Sequence, residues 1–221
     1  MTPQVLVGEV RETAERIIAK YPNSRSATLP LLFLVQSVEG HVTEQGMREV
    51  ADMLGLTSAQ VLSSGSFYTM LKKRPQGDYL ISVCRNISCT HRGARAVVEA
   101  FEDRLGIGVG GTTPDGRFTL ETAECLATCD GAPAIQVNYE DFYGVKPEDV
   151  PRLVDGLERG DVTSTRGEPV KTHREVSGET ATVGLRSPGT AGDQTGRTVG
   201  GESVRPDTSP GTRPPELGGG G

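Results

Sequence analysis

Apolar positions over the first 75 residues recur at helical spacing. Val10, Ala14, Ile17 and Ile18 share one face of a segment that stops before Tyr21-Pro22, because proline cannot continue a helix. A second apolar helix runs from Leu31 to Val38; Thr28-Leu29-Pro30 opens it, proline being tolerated in the first turn, and Gly40 ends it. Thr43 is placed to cap a third helix that reaches Leu54 before Gly55. Thr57 followed by Gln60 has the spacing of a capping box for a fourth, running toward Phe67 and Tyr68. Four short helices with short connections predict a small helical bundle over residues 1–75.

From residue 76 the period changes. Asp78 to Cys84 is a β-rich run, and Gly93 to Leu105 is an amphipathic helix with Ala94, Val97, Val98, Phe101 and Leu105 near one face. Asp115-Gly116 turns into a strand over Arg117 to Glu121. Ala134 to Asn138 and Asp141 to Val145 predict a hairpin around Tyr139-Glu140. Pro147 begins a last helix with Val150, Leu153, Val154 and Leu157 apolar. Strand, helix, three strands, helix predicts an α/β domain over residues 76–160.

Composition changes again after residue 160. Residues 161–221 hold 13 Gly, 10 Thr, 6 Pro and 5 Ser, with no aromatic residue. So little apolar surface cannot offset roughly 1–2 kcal/mol of backbone entropy per ordered residue. A disordered C-terminal tail is predicted over 161–221, and His173 within it is assigned no role. The net charge of −6 argues against nucleic-acid binding, which needs a clustered basic face. A helix–turn–helix reading of Glu49 to Tyr68 fails on the same ground, since Ser58 to Tyr68 contains no basic residue. Lys72-Lys73-Arg74 reads as a solvated linker, with an interface to an acidic partner as the alternative. No apolar run approaches the ~20 residues that span a bilayer, and the N-terminus has no basic region followed by an apolar stretch. A soluble, cytoplasmic chain without direct membrane insertion is expected.

In a reducing compartment the four cysteines are candidates for metal or redox chemistry. Their spacing is Cys84-x4-Cys89, then 35 residues, then Cys125-x3-Cys129. Each pair is expected where a β segment hands over to a loop, and two such loops side by side would bring four thiolates together. The absent secretory signal weighs against disulfides, while a structural zinc site is compatible with the spacing. A binuclear iron–sulfur cluster explains more, because its two irons each need two sulfur ligands. Arg85, Asn86, Ser88, Thr90, His91, Arg92 and Thr128 supply polar side chains nearby, and the helix starting near Gly93 would turn its positive end toward Cys89. His91 is more readily a solvent-facing neighbour than a ligand. Gly106-Ile107-Gly108-Val109-Gly110-Gly111 matches G-x-G-x-x-G, but a helix precedes it and a strand follows, the reverse of a dinucleotide site. It reads as a flexible loop.

Asp115-Gly116-Arg117-Phe118-Thr119, five further residues, then Cys125-Leu126-Ala127-Thr128-Cys129-Asp130-Gly131-Ala132-Pro133 resembles the signature of a known family. It is the thioredoxin-like [2Fe-2S] ferredoxin family, in the form of the ferredoxin-like subunit of bacterial NADH–quinone oxidoreductase (respiratory complex I). Cys84-Arg85-Asn86-Ile87-Ser88-Cys89, Gly93-Ala94 and Phe67-Tyr68-Thr69-Met70-Leu71 fit the same family, over roughly residues 10–160. The resemblance implies a thioredoxin-like domain after a helical bundle, and one [2Fe-2S] cluster on Cys84, Cys89, Cys125 and Cys129. It also implies two partners at the cytoplasmic side of the plasma membrane: the flavin-bearing subunit, which binds FMN and NADH, and an iron–sulfur subunit of the same complex. This chain would exchange single electrons with the flavin, with no catalytic site of its own. Ala127 departs from the family, which commonly has Gly there, and a negative φ is expected at that position. Thioredoxin-like folds often carry a cis-proline where Ala132-Pro133 stands. The same residues would serve an NAD-linked hydrogenase or formate dehydrogenase; a zinc-stabilised interaction module is the alternative of a different class.

Overall fold

The computed structural model describes residues 4–185 of the chain. Its N-terminal part contains α1 (Gly8–Ala19), α2 (Thr28–Glu39), α3 (Glu44–Leu54) and α4 (Ser58–Phe67). The predicted caps explain the boundaries. Thr43 Oγ1 accepts the Gly46 N–H, and Thr57 and Gln60 form a reciprocal capping box. Gly40 and Gly55 close α2 and α3 with φ of 79° and 65°, where glycine carries no Cβ penalty. In α2 every residue from Leu31 to Gln36 is buried, so this helix is the axis on which α1, α3 and α4 pack.

The second part comprises β1 (Tyr79–Cys84), α5 (Ile87–His91), α6 (Ala94–Leu105), β2 (Phe118–Ala123), β3 (Ile135–Val137), β4 (Glu140–Phe142) and α7 (Val150–Arg159). The sheet order is β2-β1-β3-β4; β1 and β2 are parallel and the other pairs antiparallel. All six residues of β1 are buried, as expected of a central strand covered on both faces. Val97 and Phe101 of α6 and Val150 and Val154 of α7 join Ile81, Val83, Leu120 and Ile135 in its core.

Four local expectations need correction. The hairpin turn is Asn138-Tyr139, one residue earlier than predicted, with φ of 49° and 73° and Val137 paired to Glu140. A two-residue turn with both φ positive matches strand twist, and Asn tolerates that region well. Cys89 lies in the five-residue helix α5, which the pattern did not predict. The glycine-rich segment after α6 is not loose: the Gly110 N–H donates to the Leu120 carbonyl, and Leu120 N–H to Gly111, so it lies along β2. Lys72 is not a solvated linker residue either. Its side chain, 13% exposed, pairs with Glu121 at 2.7 Å and ties the end of the bundle to β2.

The largest correction concerns the tail. Residues 161–185 are ordered, and α8 (His173–Thr182) lies along α2. Thr172 and Glu175 form its capping box. His173, Ser177 and Ala181, spaced four apart, are all buried. Gln36 of α2 receives this helix: its Nε2 donates to Ser177 Oγ and the Met70 carbonyl, and its Oε1 accepts the Lys72 N–H at 2.7 Å. The His173 N–H donates to the Asp78 carbonyl, at the mouth of β1. The remainder of the predicted tail, residues 186–221, lies outside the described residues.

Candidate metal centre

β1 and β2 run parallel with Cys84 on the same rung as Ala123, two residues before Cys125. Both cysteine-bearing segments therefore leave the sheet at the same edge. Beyond the last rung the Arg85 N–H still donates to the Ala123 carbonyl at 2.9 Å, which keeps the two exits together. On the other side of β1, the Cys84 N–H donates to the Ala134 carbonyl at 3.1 Å. Ala134 follows the turn Cys129–Gly131, so Cys129 is returned to the same region.

Cys84 and Cys89 are buried, Cys125 and Cys129 are exposed, and all four are free thiols. Burial pushes the Cys89 thiol above its ordinary value, and the adjoining Cys84 and Cys129 push in the same direction. Among the described residues no group of three His, Cys, Asp or Glu is arranged to hold a single metal ion. Cys89 nevertheless has a thiol of each pair beside it, and four free thiols are the number that a binuclear cluster takes, two on each iron.

The loop from Cys125 to Pro133 is specified residue by residue. Ala127 has φ of 59°, against the expected negative value, and in this conformation its N–H donates to Cys125 Sγ at 3.3 Å. A residue in this left-handed region carries a Cβ penalty that glycine lacks, which explains why glycine suits the position. Gly131 has a steric reason: a Cβ there would meet the Tyr143 ring at 2.5 Å. Ala132-Pro133 is cis, as the thioredoxin-like resemblance implied.

The flanking polar residues divide sharply. Arg85 pairs with Glu124 across the two loops, directly beside Cys84 and Cys125. Asn86 caps α5 by accepting the Ile87 N–H, and Thr90 donates to the Arg85 carbonyl. His91 and Arg92 face solvent. Thr128 Oγ1 is buried and has no hydrogen-bond partner among the described residues. Helix α6 begins at Ala94, next to Gly93 as expected, with Gly93 at φ of 97° between it and α5, the short helix that carries Cys89. The pairing of Arg85 with Glu124 and of Lys72 with Glu121 was not foreseen; neither leaves a periodic or motif signal.

Residues 14–158, which include all four cysteines, match the family model for thioredoxin-like [2Fe-2S] ferredoxins. An NADH-quinone oxidoreductase subunit of Mycobacterium tuberculosis is 44% identical over 177 residues, covering 79% of this chain and 70% of that one. A second such subunit, from Rhizobium meliloti, is 41% identical over 135 residues, covering 61% and 80%. The solved structure of an NAD+-reducing [NiFe]-hydrogenase aligns with a TM-score of 0.51 at 21% identity, over 57% of this chain and 23% of that chain. This last likeness is one of fold. The family model and the sequences of these relatives show that the chain belongs to the thioredoxin-like [2Fe-2S] ferredoxin family.

Proposed function

We propose that the chain is the electron-carrying, ferredoxin-like subunit of an NADH–quinone oxidoreductase, holding one [2Fe-2S] cluster on Cys84, Cys89, Cys125 and Cys129. The observation that carries this reading is that the two cysteine pairs lie at and beyond the C-terminal ends of two adjacent parallel strands, inside the family match. The bound group supplies one-electron redox chemistry. The chain's own part is to present four thiolates in two pairs, bury one pair and leave the other open. Cys125 and Cys129 form the exposed side, toward which a redox partner can approach within electron-transfer distance.

The partner in this reading is the flavin-bearing subunit, which binds NADH and FMN, with a further iron–sulfur subunit in the same assembly. Single electrons pass between the flavin and this chain. Among the described residues no helix is long and apolar enough to cross a membrane, in keeping with a peripheral place on the cytoplasmic side. Chemical analysis of anaerobically prepared protein tests the assignment: about two irons and two acid-labile sulfides per chain are expected. Zinc in their place, or no metal, overturns it. Cys125→Ser should lose most of the iron and loosen both loops, since metal binding is coupled to local folding; full iron content in that variant would remove Cys125 from the ligand set.

A further inference from the structure

Among the polar side chains beside the cysteines, Arg85, Asn86 and Thr90 are engaged by protein partners, and His91 and Arg92 face water. Thr128 differs from all of these. Its hydroxyl oxygen is buried with no hydrogen-bond partner among the described residues, and it directly precedes Cys129. A buried hydroxyl without a partner is costly, so one kept beside a proposed ligand calls for an acceptor. The acceptor that would arrive there is sulfur.

We propose that the Thr128 hydroxyl donates a hydrogen bond to a sulfur of the iron–sulfur group held by its own loop, and so favours the reduced form. The inference rests on the ligand assignment above. One added electron makes the sulfurs more negative, so a fixed donor binds the reduced form more strongly and raises the potential. No proton or bond is exchanged; the hydroxyl acts only as a donor. The same argument gives a reversal of sign. Without the iron–sulfur group the hydroxyl has no partner, so Thr128→Val, which replaces it with a methyl of similar shape, should leave the apoprotein equally or more stable. With the group bound, the same substitution should be unfavourable.

The test uses the full chain as wild type, Thr128→Val, Thr128→Ser and Thr128→Ala, each reconstituted with iron and sulfide. Iron content is measured first, then the midpoint potential by redox titration followed by electron paramagnetic resonance. At a fixed ambient potential Thr128→Val should lower the reduced-to-oxidised ratio about tenfold, a midpoint shift of about 59 mV for a one-electron couple. Thr128→Ser, which keeps the hydroxyl, should stay near wild type, and Thr128→Ala should follow Val. An unchanged potential in a fully loaded Val variant overturns the proposal, as does a Ser variant that behaves like Val. Val and Ala variants that fold but hold no iron also overturn it, because the side chain would then serve assembly and not tuning. Wild-type protein without iron and sulfide would instead sink the ligand assignment, and this inference with it.

Discussion

Ala127 holds a backbone conformation that costs an L side chain about 1 kcal/mol, and its N–H donates to Cys125 Sγ. Ala127→Gly should therefore stabilise the folded protein by about 0.5–1 kcal/mol, the gain reduced by glycine's greater freedom when unfolded. Urea denaturation of the apoprotein measures it. Ala127→Val should act oppositely and lower iron retention, since a β-branched residue resists positive φ. Gln36 presents a different dependence, because its side chain satisfies three groups at once in the centre of the bundle. Gln36→Leu would strand the Lys72 N–H and take one bond each from the Met70 carbonyl and Ser177, which keep the Tyr139 hydroxyl and the His173 carbonyl; a loss of about 1–3 kcal/mol is expected by chemical denaturation. The four cysteines stood out as a candidate site by their spacing, but the contacts of Ala127 and Gln36 left no such signal. Both depend on which way a peptide or amide points, and that is settled by tertiary contacts.

Helix α8 is the element that composition concealed. Glycine and threonine dominate the C-terminal 61 residues, so an average over them predicts disorder. Yet Thr172 with Glu175, then His173, Ser177 and Ala181, carry a cap and a helical stripe of modest size. The stripe is legible only against its partner, since α2 is buried without a break from Leu31 to Gln36 and must be covered on every side there. Truncation after Gly160 should accordingly destabilise the bundle, where a tail without packed contacts would cost nothing. A fall in thermal midpoint and faster amide exchange in α2 are the expected readouts. The end of α2, both ends of α3 and the start of α4, by contrast, followed from local signals: glycine and Thr caps act within one turn and need no tertiary information. The turn Asn138-Tyr139 lies between these extremes, its existence being clear from the strands and its register being fixed only by pairing with Glu140.

For the molecule as a whole, His173 links stability to pH. Its ring, 1% exposed and without a hydrogen-bond partner among the described residues, is held down to about 4 by burial, with Lys72 and Arg174 acting in the same sense and Glu121 against them. The unfolded chain takes up this proton near pH 6.5 and the folded one only near 4, so stability falls as pH drops through that window. The full loss is roughly 3 kcal/mol, with no further contribution below the folded value. In His173→Phe this part of the pH dependence should vanish, as denaturation curves between pH 7 and 4 would show.

The shared rung of Cys84 and Ala123 also sets where this chain can change length. One residue added inside Phe118–Ala123 would swap every later side chain to the opposite face and carry Cys125 a step away from Cys84. The same residue added at the bend Pro114–Gly116, before the first rung, leaves the count untouched. Insertions should therefore abolish iron uptake in the first place and spare it in the second. Thirty-five residues separate the inner cysteines, but it is the six rungs, and not that interval, that must be kept for the two half-sites to meet.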